Sequence, residues 1–298
     1  MNRKVRKMFK AIENREALVD LYHRCFPDIV REEAVVRSLI FDQDDRIFGI
    51  YEEETLCAAC IVHGRAISLL CVRPESRGKG YGNALLNEAE RIIRENGYHT
   101  INVGVGTDDR YFMPGVPMKE GAEQFFIKRG YTHKWGDTEC LDMDEDLSDF
   151  HYDEYAVGDD IRGITYRWAG KEDLSEIQEC VSDAQKSFVP YYMEEQHYEA
   201  GTKAPVLIAE RSGQVLGCLI VSLEVEGEGL GSVGCTATRT SERGQGIATN
   251  LVRLGTRYLK DSGMRRAFLG YTYTDIVRMY ERAGYRICQR YFMAAKDL

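Results

Sequence analysis

The chain has 298 residues, 44% of them hydrophobic and 29% charged, with 48 acidic against 39 basic side chains and a net charge of −9. That size and composition suit a globular protein of about two domains, each of roughly 100–200 residues. The acidic balance argues against a nucleic-acid binder, which needs surplus Lys and Arg to neutralise phosphates, and no apolar run approaches the ~20 residues of a membrane span.

The first ten residues carry Arg3, Lys4, Arg6, Lys7 and Lys10, but no apolar segment of about 7–15 residues follows, so no signal peptide is expected. Nine cysteines, an odd number, are scattered mostly through apolar stretches such as Leu70-Cys71-Val72. They read as reduced, buried thiols of a cytoplasmic protein.

Apolar periodicity predicts helices over 16–25 and 32–41, then strands over 46–51, 56–62 and 66–72. Arg77-Gly78-Lys79-Gly80-Tyr81-Gly82 follows and opens a helix whose Leu85, Leu86, Ala89, Ile92 and Ile93 recur at 3–4 spacing, with Asn96-Gly97 as its stop. A strand over 100–105, a helix ending in Gly130-Tyr131 and a closing strand complete the series. Segment 110–120 (RYFMPGVPMKE) has no counterpart later in the chain and reads as a long loop. It covers the first copy's own cleft, contributes to the second copy's site, or connects the two.

The series then repeats. Arg243-Gly244-Gln245-Gly246-Ile247-Ala248 lies 166 residues after the first glycine-rich turn, and the same offset pairs Leu85 with Leu251 and Gly97 with Gly263. The pattern predicts an α/β (α+β mixed) chain of two like domains: 1–146, an acidic linker 147–162, and 163–298. Segment 137–160 alone holds eleven acids and no Lys or Arg, so the remainder of the chain is close to neutral.

A strand, a glycine-rich turn and a helix form an anion cradle: consecutive N–H groups converge while the helix dipole adds positive potential. It is not a Walker loop, because Gly80 and Gly246 stand where Ser or Thr would follow the Lys. Cys57-Ala58-Ala59-Cys60 lies in a strand-like run, where the two thiols point to opposite faces, so no metal site is expected.

Segments 72–82 and 236–248 resemble the acyl-CoA-binding motif of the GCN5-related N-acetyltransferase (GNAT) family, and 125–131 and 279–285 are similar to its closing motif. The tandem layout resembles that of double-domain members. Thr240 stands where the motif usually has Pro. The resemblance implies a bent mixed sheet flanked by helices in each copy, and acetyl-CoA as acyl donor. Its pyrophosphate would lie on Arg77, Gly78, Lys79, Gly80, Tyr81 and Gly82, or on Arg243, Gly244, Gln245, Gly246, Ile247 and Ala248. Its pantetheine would pair with Leu70, Cys71 and Val72, or with Thr236, Ala237 and Thr238.

The family's frequent thiolate-protonating tyrosine maps to Tyr280 in the second copy and to Phe126, without a hydroxyl, in the first. The resemblance thus implies an N-acetyltransferase acting on a small-molecule or peptide amine, with chemistry in the C-terminal copy and neither nucleic acid nor membrane as partner. The family's usual strand carboxylate maps to Ala66 and Ser232, so the base is open; Glu224, Glu226 and Glu228 are the nearest acids, and Glu226 is the candidate. Two other readings stand beside this one: a silent acyl-CoA-binding sensor or scaffold, and an enzyme whose activity resides in the N-terminal copy. Aromatics 188–192 fall where the family's acceptor site lies. His197 is a lone histidine beside them.

Overall fold

The computed structural model describes residues 9–41, 45–105, 111–136, 139–151, 163–225, 227 and 229–298. The chain forms two compact units. They differ from the contiguous division 1–146 and 163–298: one unit is residues 1–140 with 289–298, and the other is 141–288.

The first unit begins with β1 (Phe9–Ala11), α1 (Arg15–Cys25) and α2 (Glu33–Phe41). An antiparallel run follows, β2 (Arg46–Glu52), β3 (Thr55–His63) and β4 (Ala66–Val72), and then α3 (Tyr81–Glu95) and β5 (Thr100–Val103). Short elements close it: β6 (Val116–Pro117), α4 (Ala122–Ile127) and β7 (Thr132–His133). The second unit takes β8 (Cys140–Asp146), β9 (Thr165–Trp168), α5 (Leu174–Gln185), α6 (Val189–Tyr192), β10 (Val206–Arg211), β11 (Gln214–Ser222), β12 (Leu230–Thr238), α7 (Ile247–Asp261), β13 (Arg266–Tyr273), α8 (Val277–Glu281) and the start of β14 (Arg286–Phe292). The chain ends in β15 (Ala294–Asp297).

The two sheets share one order. In the first sheet it is β1-β2-β3-β4-β5-β15-β7, and in the second β9-β10-β11-β12-β13-β8-β14, with β6 as an eighth strand beside β14. Their sixth strands are exchanged: β8, which follows the first copy in sequence, is in the second sheet, and β15, at the end of the second copy, is in the first. Ala295, Lys296 and Asp297 pair antiparallel with Asn102, Ile101 and Thr100, and Ala294 and Ala295 pair with His133 and Thr132. The expected acidic linker is correspondingly shorter. Leu147 and Phe150 are buried in the second unit's core, and the Lys260 ammonium donates to the Phe150 carbonyl at 2.6 Å.

Packing follows the apolar spacing of the sequence. α3 buries Leu85, Leu86, Ala89 and Ile93 against β3 and β4, and α7 buries Ile247, Leu251, Val252 and Leu259 against β11 and β12. Each of these Leu, Ile and Val side chains contributes roughly 1.5–3 kcal/mol by leaving water, and Ala89 less. Both helices stop identically: Gly97 and Gly263 adopt φ 84°, a left-handed conformation that favours glycine. No described helix is long and apolar enough to cross a membrane. All nine cysteines are free thiols.

Candidate active site

Each unit has a strand, a short 3₁₀ turn, a glycine-rich bend and a long helix in succession. Gly78 and Gly80 have φ 79° and 86°, and Gly244 and Gly246 have φ 79° and 83°. These values admit few side chains. An added Cβ at any of the four would meet no atom within 4 Å, so the concavity is open. The N-terminus of α3 or α7 adds its dipole to the exposed N–H groups, which makes each bend able to hold an anion.

The second copy's departure from the motif has a local reason. Thr240 donates its backbone N–H to Asp183 on α5 at 2.6 Å, a bond that Pro74 at the equivalent place cannot make. That N–H, with the Thr240 hydroxyl, holds the Asp183 carboxyl below its ordinary range. Arg243 extends from the bend and donates to the Ala184 carbonyl at 3.1 Å.

Ahead of each bend the sheet opens. β12 and β13 are in parallel register only at Leu230↔Arg266 and Gly231↔Ala267, and β4 and β5 only at Ala66↔Asn102 and Ile67↔Val103. In the second unit a non-glycine residue on each flank of the opening is left-handed: Cys235 on β12 (φ 51°) and Tyr271 on β13 (φ 58°). Such strain, of order 1–3 kcal/mol each, concentrates at functional sites. Thr236 on β12 and Tyr280 on α8 meet here, with Oγ1 and the phenol oxygen 3.1 Å apart. Tyr280 is 3% exposed. Burial pushes its hydroxyl up to about 12, opposed by the Thr236 hydrogen bond, so it stays protonated at neutral pH. Thr238, the last residue of β12, keeps a buried Oγ1 without a hydrogen-bond partner.

In the first unit the opening leads into a cavity of about 600 Å³. β4 residues Leu70, Cys71 and Val72 line it, as do Arg77, Gly78, Gly80, Tyr81 and Gly82 of the bend. Lys79 is drawn aside: its ammonium donates to Glu52 at 2.6 Å, and the Tyr81 hydroxyl donates to the same carboxylate at 2.5 Å. These two donors hold the Glu52 carboxyl below its ordinary range. Arg77 is paired with Glu120. The segment without a counterpart serves this unit's own cleft: Met113, Gly115, Val116, Pro117, Lys119 and Glu120 form one wall, and Gly104 of the loop after β5 lies so close to the Pro114 carbonyl that a Cβ there would approach it to 2.4 Å. Phe126 occupies the place of Tyr280. The shared closing motif gives both residues the same carbonyl bond, from Tyr131 N–H to Phe126 and from Tyr285 N–H to Tyr280, each 3.2 Å.

The remaining candidates separate clearly. Glu226 and Glu228 lie outside the described residues. Glu224 is paired with the exposed Lys203 at 2.5 Å in the turn entering β12. That turn precedes Leu230, six residues or ~20 Å along the strand from Thr236. His197 is buried, with Nδ1 2.6 Å from the Ala204 carbonyl and Nε2 2.9 Å from that of Tyr191. Both ring nitrogens are thus committed to structure. Tyr192 of the aromatic cluster is core, while Tyr191 is exposed. Cys57 and Cys60 are both buried in β3. A second cavity, about 890 Å³, lies at the far ends of β12 and β13 among Asp144, Glu145, Lys260, Arg265, Arg266 and Arg286. It is larger than the cleft of the first unit, none of residues 243–248 of its own unit's bend lines it, and its Arg266 is already paired with Asp144.

The profile of the acetyltransferase (GNAT) family matches residues 15–111 and 171–285. Comparison with curated proteins finds no match. Among solved structures, the chain is similar to the GCN5-related glucosamine N-acetyltransferase region of a fungal multi-domain GH3 β-N-acetylglucosaminidase, with a TM-score of 0.71 at 20% identity. The match covers 95% of this chain and 37% of that one, so the chain spans little more than a third of the fungal protein. It is also similar to a GCN5-related N-acetyltransferase of Sphaerobacter thermophilus (TM-score 0.71, 19% identity, 97% and 95% of the two chains) and to a tandem GNAT protein from the clavulanic acid biosynthesis pathway (0.64, 15%, 97% and 97%). At these identities the likeness is one of fold. The profile matches in both copies, together covering more than half the sequence, and the chain belongs to the acetyltransferase (GNAT) family.

Proposed function

We propose that the chain is an acetyl-CoA-dependent N-acetyltransferase that works in the unit of residues 141–288 and transfers acetyl directly to a small-molecule or peptide amine. The observation that carries this reading is the hydrogen bond between Tyr280 and Thr236, at 3.1 Å, in the opening ahead of the second bend. Acetyl-CoA supplies the activated acetyl thioester. The N–H groups of 243–248, with Arg243, hold its pyrophosphate. The β13-facing edge of Thr236, Ala237 and Thr238, unpaired over this stretch, takes the pantetheine amides as a partner strand would. The orphaned Thr238 hydroxyl fits such a polar ligand. Tyr280, kept protonated by burial, gives its proton to the sulfur as the C–S bond breaks.

The first unit then holds an acyl-CoA without turnover or acts as scaffold. Phe126 supports this division, since it offers the sulfur no proton. The test is release of free thiol from acetyl-CoA by the whole chain, with an amino sugar, a polyamine and an amino acid amide as acceptors. Thiol release dependent on one of these amines supports the reading, and none with any acceptor contradicts it.

A further inference from the structure

The proposed reaction needs a group that takes a proton from the amine, and Ser232, on the usual strand, cannot do so. Two acids near the second bend are committed to holding it: Asp183 accepts the Thr240 N–H, and Glu242 accepts from Arg211 and from Gln245, each at 2.9 Å.

The sheet itself supplies another. Leu141 and Met143 of β8, and Ala267 and Leu269 of β13, belong to the core that α7 covers. Strand alternation turns their neighbours Asp142, Phe268 and Gly270 to the opposite face. A Cβ on Gly270 would lie 3.6 Å from Oδ1 of Asp142 and 3.3 Å from the Phe268 ring, yet Gly270 is exposed in mid-sheet. The pairing of Leu230 with Arg266, counted four residues on, brings Gly234 of β12 level with it. Gly234 lies opposite Ile220, which packs with the α5 residues Ile177, Cys180 and Val181, so it looks to that same face. A Cβ there would meet no atom within 4 Å. The two glycines thus form the floor of an open groove. Their counterparts in the first copy are covered: Ser68 is buried, and the Pro114 carbonyl stands over Gly104.

One residue further along, the count brings Cys235 level with Tyr271, the two left-handed residues of the opening. Asp142 Oδ1 accepts the Tyr271 N–H at 3.0 Å. The carboxylate therefore stands where the groove meets the opening, one strand rise (~3.3 Å) short of the level of Thr236, the partner of Tyr280. The titratable and charged groups that face it are Asp144 on β8, paired with Arg266 on β13, and Cys288 on β14. Burial, and then Asp144 and Asp142, push the Cys288 thiol up to about 12, so it is neutral at pH 7.

We propose that this groove receives the acceptor as an ammonium ion and that Asp142 is the general base of the second unit. The inference rests on the acetyltransferase reading. The ammonium gives one proton to the Asp142 carboxylate. The freed nitrogen lone pair bonds to the thioester carbonyl carbon, the C–S bond breaks, and the sulfur takes the Tyr280 proton. The surplus proton on the acylated nitrogen restores the Tyr280 hydroxyl, and Asp142 releases its own to water.

The experiment compares the whole chain with Asp142→Asn and Gly234→Val, using acetyl-CoA and whichever panel amine the wild type accepts. Asn keeps an oxygen for the Tyr271 N–H, so the left-handed bend is preserved, but it takes no proton. For Asp142→Asn the expected result is a loss of kcat/KM of about 10²–10⁴-fold at pH 7, with unchanged CoA affinity by calorimetry. Its kcat/KM should also climb about tenfold per pH unit toward the amine's own pKa, as free amine replaces ammonium, where the wild type's is level. For Gly234→Val, which fills the groove, the amine KM should rise about tenfold or more with CoA affinity unchanged. Wild-type kcat/KM in Asp142→Asn, or a lower rate with the wild-type pH profile or weakened CoA binding, would overturn the assignment of the base. An unchanged amine KM in Gly234→Val would overturn the groove. A wild type that cleaves no thioester with any amine would overturn the acetyltransferase reading itself, and the inference with it.

Discussion

The phenol oxygen of Tyr280 is 3.1 Å from Oγ1 of Thr236, joining the closing helix of the second unit to the strand that leads into its glycine-rich bend. Tyr280→Phe removes the proposed acid and little else. We expect kcat to fall by about 10²–10³-fold, with acetyl-CoA affinity within about threefold of wild type. The lost hydrogen bond costs about 1 kcal/mol of stability. Because burial holds the hydroxyl up to about 12, it donates a proton at every pH below that value. The wild-type profile should therefore show no fall attributable to Tyr280 between pH 7 and about 10, and steady-state rates across that range check this.

The exchanged strands make the first unit depend on the chain's last residues. Deleting residues 294–298 removes β15 from between β5 and β7 and leaves their edges open. Hydrogen exchange at Thr100–Val103 should accelerate by at least tenfold in the truncated chain, while the amides of β13 keep their protection. Unchanged protection of β5 would mean that β15 contributes nothing to that sheet's stability.

Glu145 provides a pH test of the second unit. Burial lifts its carboxyl from an ordinary 4.5 to about 7, opposed by Arg286 and reinforced by Asp144, Asp146 and Asp149. The native state therefore holds the proton to higher pH than the unfolded chain, so stability falls as pH rises from 4.5 to 7 and stays lower above. Glu145→Gln removes that fall. Its Tm should exceed wild type by roughly 2 °C at pH 8 and match it at pH 4. Scanning calorimetry at both pH values checks the sign.

Much of this was legible in the sequence, and the limits are physical. The two bends could be found because Gly78, Gly80, Gly244 and Gly246 are required by positive φ. α3 and α7 could be found because buried residues keep helical spacing. The strand exchange could not. β8 and β15 follow equivalent points of the two copies, and the sequence pattern is the same whichever sheet each one joins. Leu147 and Phe150 were hidden in an acidic run whose charge suggested solvent. The bond from the Tyr192 hydroxyl to the Cys235 carbonyl joins residues 43 apart, which no local pattern encodes. The left-handed conformations of Cys235 and Tyr271 carry no glycine to announce them.

The most direct test of catalysis in the second unit is a matched pair, Gly80→Glu and Gly246→Glu, assayed for kcat/KM toward acetyl-CoA. The two positions have φ 86° and 83° and equally open surroundings, so the backbone cost of the substitution, about 1–2 kcal/mol, is the same in both units. Each new carboxylate faces the phosphates its bend would hold. The account predicts that Gly246→Glu lowers kcat/KM at least tenfold more than Gly80→Glu does. A larger loss in Gly80→Glu would place the chemistry in the first unit and contradict the account.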